Sequence, residues 1–562
     1  MRILCLILAS SAAVYAAGQT IVKELHVPIP MRDGVRLMAN IYLPSEHARV
    51  PAILVRTPYN KGADITPNYQ AFVEHGYAVV VEDVRGRYES EGTFQPLRQE
   101  PNDGDDTINW VARQSWCDGK IGMMGGSYVG IVQWKAALLN NPHLKAIFPV
   151  VSGDDDYRDR FYSTGGAMKL GNRLEWMSEN LRVPEYHPDF SKYVLHLPLR
   201  TADIAATGRT SEMYQLVMRH PAFDSFWRGI STREQLAKIR VPVFSVGGWY
   251  DNFAESDLDA YATLHKNSGL NRILIGPWPH NMSLKFDGVD FGPDASVPIR
   301  ELQMEWFDQW LMGKDVPLVS QPPLKIFVMG ENKWLDAREW PPEGSRPRSF
   351  YFQSNGRANT SSGDGALSEK PARGIVSDRY VFDPRNPVPT LGGAVCCNPR
   401  IFPWGPMDQR AVEQRDDVLV YSTRPLKQPV EVVGPVQVVL YISTSATDTD
   451  FTAKLVDVFP DGYARNLTDG ILRLRYRESL EKSQPAKPGE VYPITVDAGV
   501  TSNVFLKGHR IRIEISSSNF PRFDRNPNTG GSPADGTKLL KASQTIYHDR
   551  EHPSHVVLMV MN

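Results

Sequence analysis

Cysteine is scarce in this chain, with four in 562 residues, at Cys5, Cys117, Cys396 and Cys397. So few exclude a fold built on disulfides, and no cysteine or histidine spacing of a zinc site is present, so neither metal nor cofactor is expected. An excess of one charge is missing too: 62 basic and 64 acidic residues leave a formal net charge of -2. That balance gives nucleic acid or an anionic membrane surface no electrostatic reason to bind. Beyond the first residues no apolar run is long enough to span a bilayer, so no stable membrane insertion is expected. No internal repeat is visible, which excludes solenoids and propellers.

What is present begins with Met1-Arg2 and a short apolar run, followed by a small-residue site at Val14-Tyr15-Ala16. This reads as a secretory signal over residues 1–17, and the expected location is secreted or periplasmic. Cys5 would leave with it. The adjacent Cys396 and Cys397 read either as a vicinal disulfide or as two packed thiols. The chain is too long for one core. From Val22 to Pro44 two alternating runs flank an Asp-Gly turn, a hairpin. Short buried runs at Pro51–Val55, Tyr77–Asp83, Lys120–Gly126 and Lys145–Val151 then alternate with helical spacing. That alternation predicts an α/β class with a parallel sheet covered on both faces. From Asp154 to about Lys238 the segments are helical, with aromatic and methionine positions in Leu174–Leu181 and Ser211–Arg219. Strands resume at Val241–Val246 and Arg272–Ile275. After about Gln321, runs from Leu324–Val328 and Arg348–Phe352 to His555–Val560 are separated by turn residues, the pattern of a β-sandwich. Asn355–Gly374, rich in serine and glycine, is expected to be a mobile surface loop.

The stretch Lys120-Ile-Gly-Met-Met-Gly-Gly-Ser-Tyr-Val-Gly130 carries the chemistry. An apolar strand ends in two glycines, Ser127 follows, and a helical pattern starts at once. This is the grammar of a nucleophile elbow, with the hydroxyl exposed on a strained turn and a helix N-terminus behind it. A serine so placed needs a base and an orienting acid, and in a parallel sheet these lie past later strands. The strand at Val241 ends in Gly-Gly-Trp-Tyr-Asp251, and the strand at Arg272 ends in Gly-Pro-Trp-Pro-His280. Asp257 and Asp259 compete as acids but fall on a helical segment. Ser127, Asp251 and His280 are therefore the expected catalytic residues.

The chain resembles the cocaine esterase-like family of serine hydrolases, which also holds α-amino-acid ester hydrolases, cephalosporin acylases and X-Pro dipeptidyl-peptidases. The matching pieces are Arg56-Thr-Pro-Tyr-Asn-Lys61, Asp83-Val-Arg-Gly-Arg87, Trp116-Cys-Asp-Gly119, Gly125-Gly-Ser-Tyr-Val-Gly130, Gly248-Trp-Tyr-Asp251 and Gly276-Pro-Trp-Pro-His280. Asp448–Asp457 and Asn466–Ile471 match in the β region. The resemblance implies an α/β-hydrolase domain over 18–153 and 238–345, a helical cap over 154–237 and a C-terminal jelly-roll β-sandwich over 346–562. It carries Ser127 over as nucleophile, Asp251 as orienting acid and His280 as base. It also implies an oxyanion hole made of the Tyr128 backbone N–H and the Tyr59 phenol.

The expected activity is hydrolysis of an acyl ester or amide through an acyl-enzyme on Ser127, on a small molecule or short peptide. X-Pro dipeptidyl-peptidase and β-lactam (cephalosporin) acylase are the alternatives, and a non-catalytic binding module is a third. In the amino-acid ester hydrolases an acid for the substrate ammonium lies three residues past the serine, where this chain has Gly130. Asp154-Asp-Asp156 reads either as a replacement cluster or as the N-terminal cap of the first cap helix, the second favoured. Phe253, Trp278 and Phe161 are the expected walls of an apolar acyl pocket.

Overall fold

The computed structural model describes residues 21–562 except 182–184, 373, 375, 397, 401 and 402. The expected signal segment, 1–17, and Cys397 lie outside the described residues.

The chain's first sheet takes its strands in the order β1-β2-β4-β3-β5-β6-β7-β8-β9-β10. These are β1 Val22–Pro30, β2 Arg36–Leu43, β3 Val50–Thr57, β4 Ala78–Asp83, β5 Cys117–Gly126, β6 Leu144–Val150, β7 Phe244–Tyr250, β8 Arg272–Pro279, β9 Leu324–Val328 and β10 Lys333–Ala337. From β4 and β3 across to β9 the neighbours run parallel, and antiparallel pairs close both edges. The central strands are apolar at nearly every position because both faces are covered, and their period of two divides them between two cores. Ala52 and Leu54 of β3 join Ile108 and Val111 of α2 (Glu100–Ala112) and Val132 and Ala136 of α3 (Tyr128–Ala137). Ile53 and Val55 turn the other way, to Phe72, Val73, Trp306 and Phe307. Phe72 and Val73 lie on α1 (Pro67–Glu74), and the other two on a helix at Ile299–Phe307.

A buried ion cluster ties the strand ends to these helices. Arg56, at the end of β3, donates from Nε to Glu82 of β4 at 2.6 Å and from Nη1 to Glu100 of α2 at 2.8 Å. Glu100 also accepts the Tyr128 hydroxyl at 2.8 Å, so the cluster reaches the first residue of α3. Breaking one buried partner of such a set costs about 3–5 kcal/mol, since the other charge stays buried.

Between β6 and β7 the chain leaves the sheet for a π-helical turn at Asp156–Phe161 and, among the described residues, five α-helices. These are α4 Leu170–Leu181, α5 Phe190–Val194, α6 Ala202–Thr207, α7 Glu212–Arg219 and α8 Ser225–Ile230. They sit over the strand ends and share the core of α2 and α3. After β7 come α9 (Ala254–Ser268) and α10, the helix at Ile299–Phe307. Eleven strands between Ser345 and Met561 then form an all-β domain. Its long strand Val430–Thr444 pairs with Tyr492–Phe505 on one edge, and with His555–Met561 and Ala542–Tyr547 on the other. Its core merges with the underside of β7 and β9 through Trp249, Tyr250, Ile326 and Phe327. The Tyr250 hydroxyl donates to the Asn466 carbonyl at 3.1 Å, bracing the residue next to Asp251.

Two local readings change. Leu324–Val328, grouped by its alternation with the sandwich runs but placed by the family bounds in the hydrolase domain, pairs parallel with β8 in the first sheet. Alternation marks a half-buried strand, not the sheet that receives it. Of Asn355–Gly374, expected as a mobile loop, the part through Ser368 is pinned. Ala358 is buried with its N–H on Asp378 at 2.9 Å, and Ala366–Ser368 pairs with Tyr351–Gln353.

Candidate active site

Ser127 sits between β5 and α3 with φ 56° and ψ -126°, a left-handed backbone that a side chain adopts only under strain. Gly125, at φ 137°, makes the turn feasible: a Cβ there would stand 2.2 Å from Val129 Cγ1. The Ser127 N–H donates to the Val150 carbonyl at 2.9 Å, fixing the turn to β6. Tyr128 opens α3, so its N–H has no acceptor one turn back and stands free beside the serine.

His280 follows the last residue of β8, and Asp251 follows the last residue of β7. The His280 Nε2 lies 3.0 Å from Ser127 Oγ, and its Nδ1 lies 2.6 Å from Asp251 Oδ2. With a carboxylate at Nδ1, the neutral ring keeps its proton there and turns the Nε2 lone pair toward the hydroxyl. Asp251 is buried, and its Oδ1 accepts the Phe253 N–H at 3.1 Å, so the carboxylate cannot swing away. Three strand ends thus bring hydroxyl, imidazole and carboxylate into one hydrogen-bonded line. Such a line can deprotonate a hydroxyl as it attacks a carbonyl.

Tyr59 stands on the loop after β3, its own N–H held by Thr57 Oγ1 at 3.0 Å. Its phenol is open to a substrate: Tyr59 is 38% exposed, and among the described residues its oxygen receives only the Trp176 Nε1–H at 3.5 Å. Tyr59, Ser127 and Tyr128 line one pocket of about 680 Å³, its open mouth included. The Tyr128 side chain is scaffold, buried between Glu100 and the Leu97 N–H, which it accepts at 3.0 Å.

Of the expected pocket walls, Phe161 and Phe253 line this space and Trp278 does not. Trp278 is still inside β8, and its ring turns into the core with Trp306 and Phe307 while Nε1 donates to the Ala295 carbonyl at 2.9 Å. The strand's alternation therefore sends Trp278 to the helix-covered face, away from the site. Residues not singled out from the sequence supply much of the wall: Trp176 and Met177 from α4, Met213 and Tyr214 from α7, and Arg160 and Arg173. The aromatic and methionine positions of those two cap helices were the available signal. Trp176 stacks on Tyr128 with centroids 6.4 Å apart, joining cap to elbow. Cys396 also lines the pocket and is disulfide-bonded.

Asp154, Asp155 and Asp156 do not reach the pocket. Asp155 caps the π-helical turn, accepting the N–H groups of Tyr157 and Arg158 at 2.9 Å each. Asp156 pairs with Lys135 and Arg160. Asp154 is buried, which pushes its carboxyl well above the usual range, with Arg233 3.8 Å away. Gly130 cannot carry an acid either, because a Cβ there would lie 2.5 Å from Ser152 Cβ. Among the described residues no cluster is placed to hold a metal ion, and no helix is long and apolar enough to cross a membrane.

The family model described as X-Pro dipeptidyl-peptidase (S15 family) matches residues 33–282. That of the X-Pro dipeptidyl-peptidase C-terminal non-catalytic domain matches residues 319–557. The chain is 40% identical to the cocaine esterase of Rhodococcus sp. (strain MB1 Bresler), over 95% of this chain and 98% of that protein. Among solved structures, an α-amino acid ester hydrolase is 28% identical with a TM-score of 0.84, covering 98% of each chain. An aminopeptidase from a marine sediment archaeon (Thaumarchaeota archaeon) is 27% identical with a TM-score of 0.85, covering 99% of this chain and 98% of that one.

Proposed function

The chain belongs to the cocaine esterase-like serine hydrolases of the X-Pro dipeptidyl-peptidase (S15) family, and from that premise we propose that Ser127, His280 and Asp251 are its catalytic triad. Its preferred substrates are esters or amides of acyl groups that carry no ammonium. The observation that carries the reading is the unbroken line from Asp251 Oδ2 through His280 to Ser127 Oγ at the floor of the pocket.

Ser127 Oγ attacks the acyl carbonyl while His280 Nε2 takes its proton and Asp251 stabilises the imidazolium. The Tyr59 phenol and the Tyr128 N–H donate to the tetrahedral oxyanion, two donors set before charge develops. His280 then gives its proton to the leaving oxygen or nitrogen, and the acyl-enzyme remains. Water repeats the sequence, with His280 as base, and frees the acid. The substrate preference rests on the pocket wall: among the described residues two arginines line it and no carboxylate side chain does. An ammonium would lose its hydration there without gaining an anion. That argument disfavours a dipeptidyl-peptidase, whose substrate enters with a free amine.

The test is a paired panel on the mature protein, uncharged acyl p-nitrophenyl esters against X-Pro p-nitroanilides, with Ser127→Ala as control. Serine-dependent turnover of the esters, with dipeptides slow, is the expected outcome. A preference for free-amino dipeptides contradicts the substrate reading, and turnover that survives Ser127→Ala contradicts the triad. Export by residues 1–17 belongs to the same proposal, and N-terminal sequencing of extracellular or periplasmic protein tests it. A mature chain still beginning at Met1 contradicts it.

A further inference from the structure

Two arginines line the pocket, and they differ in one respect. Arg160 is neutralised and held through both Nη atoms, though its Nε has no acceptor: Nη1 pairs with Asp156, and Nη2 donates to the carbonyls of Ser152 and Gly153 at 2.8 and 3.1 Å. Arg173, on α4, makes no hydrogen bond and no ion pair among the described residues. Its Nε is buried without an acceptor, and its guanidinium lies 5.6 Å from the Phe161 ring centroid. The rest of the wall is almost wholly aromatic or aliphatic. Burial first, and Arg160 next, lower the Arg173 pKa to about 10, so the group is still charged at neutral pH. Glu175, two residues on, makes no ion pair with it among the described residues, and burial followed by Glu179 raises that carboxyl to about 8. Arg173 is half-buried rather than sealed off, with Nε the atom cut off from water, and a cation so sparsely hydrated and without an anion is costly.

We propose that Arg173 is a specificity residue that receives a carboxylate of the substrate, so that the preferred substrates are esters or amides bearing one carboxylate besides the scissile bond. The inference rests on the hydrolase reading above and narrows it. A monoanion matches a single unpaired cation in an otherwise apolar wall, and a planar carboxylate takes the guanidinium edge with two parallel hydrogen bonds. The carboxylate can stand on the acyl side of the scissile bond or on the leaving group.

The experiment compares kcat/KM for acids with that for neutral twins, by pH-stat on the full chain. Monomethyl glutarate against methyl pentanoate reads the acyl side, and 4-acetoxybutyrate against butyl acetate reads the leaving-group side. The wild type is expected to prefer the acid in one of the two pairs, by about 10- to 100-fold, the scale of a hydrogen-bonded charge. Arg173→Met should collapse that ratio mainly through a higher KM for the acid, and Arg173→Lys should restore part of it. A wild type that prefers the neutral twin in both pairs overturns the proposal without any variant. So does an Arg173→Met enzyme that keeps the wild-type ratio. Ser127-dependent turnover of the neutral twins shows that the hydrolase reading stands even when this one fails. Absence of Ser127-dependent turnover of all four substrates overturns both.

Discussion

Replacing Tyr59 by phenylalanine removes one oxygen, and the structure assigns that atom little to do in the folded state. Its one partner among the described residues, Trp176 Nε1, stands at 3.5 Å, the limit of hydrogen bonding, and Tyr59 is 38% exposed. The cost to stability is therefore under about 1 kcal/mol, a melting shift of no more than about 4 °C for a domain of this size. The transition state loses far more. On the proposed mechanism one of two donors to the oxyanion disappears, and a single donor in such a hole is worth about 2.7–4 kcal/mol, so kcat should fall about 10²-fold or somewhat more. The loss should appear in kcat with KM little changed, because the bond to the oxyanion strengthens only as charge develops. Steady-state kinetics on p-nitrophenyl butyrate, with thermal melts of both proteins, measure the two quantities separately. A variant with unchanged melting and kcat within about threefold of wild type, under about 0.7 kcal/mol, removes the phenol from the oxyanion hole.

Other substitutions read other parts of the site. Tyr128→Phe deletes the hydroxyl between Glu100 and the Leu97 N–H. It should cost about 2–4 kcal/mol of stability in a denaturant titration, with the effect on kcat small because the donor at this position is main chain. A stable variant with kcat lowered a hundredfold would contradict that division. Gly130→Ala forces a Cβ to 2.5 Å from Ser152 Cβ and should destabilise by at least about 1–3 kcal/mol, read as a lower melting temperature; wild-type melting would contradict the packing. Glu175→Gln tests the buried acid beside Arg173. Its carboxyl is raised from 4.5 to about 8, so below pH 4.5 both folded and unfolded states hold the proton. Between those values only the folded state keeps it, and stability falls as pH rises, a loss complete above about 8. The glutamine variant escapes this loss, so its melting temperature relative to wild type should climb from pH 5 to 8. A gap independent of pH contradicts the burial argument.

The elbow was legible because glycine, glycine, serine and an immediate helix are all local signals, and φ 56° at Ser127 is what they encode. Asp251 and His280 were legible because each is the first polar residue past an apolar run, and in a parallel sheet those ends share an edge. Tyr59 has no such local mark. A tyrosine after Thr57-Pro58 reads as a turn, and only the resemblance to known hydrolases pointed to its phenol. Trp278 was misplaced because the run was taken to end before it, whereas β8 continues through Pro279 and carries the ring to the other face. Arg173, Met213 and Tyr214 meet only when α4 and α7 fold over the sheet, an arrangement that no spacing within either helix contains.

The central claim is that Ser127 Oγ forms the covalent acyl-enzyme. Trapping it with a fluorophosphonate and mapping the modified peptide by mass spectrometry tests this most directly. The account predicts an adduct on the peptide containing Ser127, formed in step with loss of esterase activity and absent in Ser127→Ala. Loss of activity with the adduct on another residue, or full activity with Ser127 modified, would contradict it.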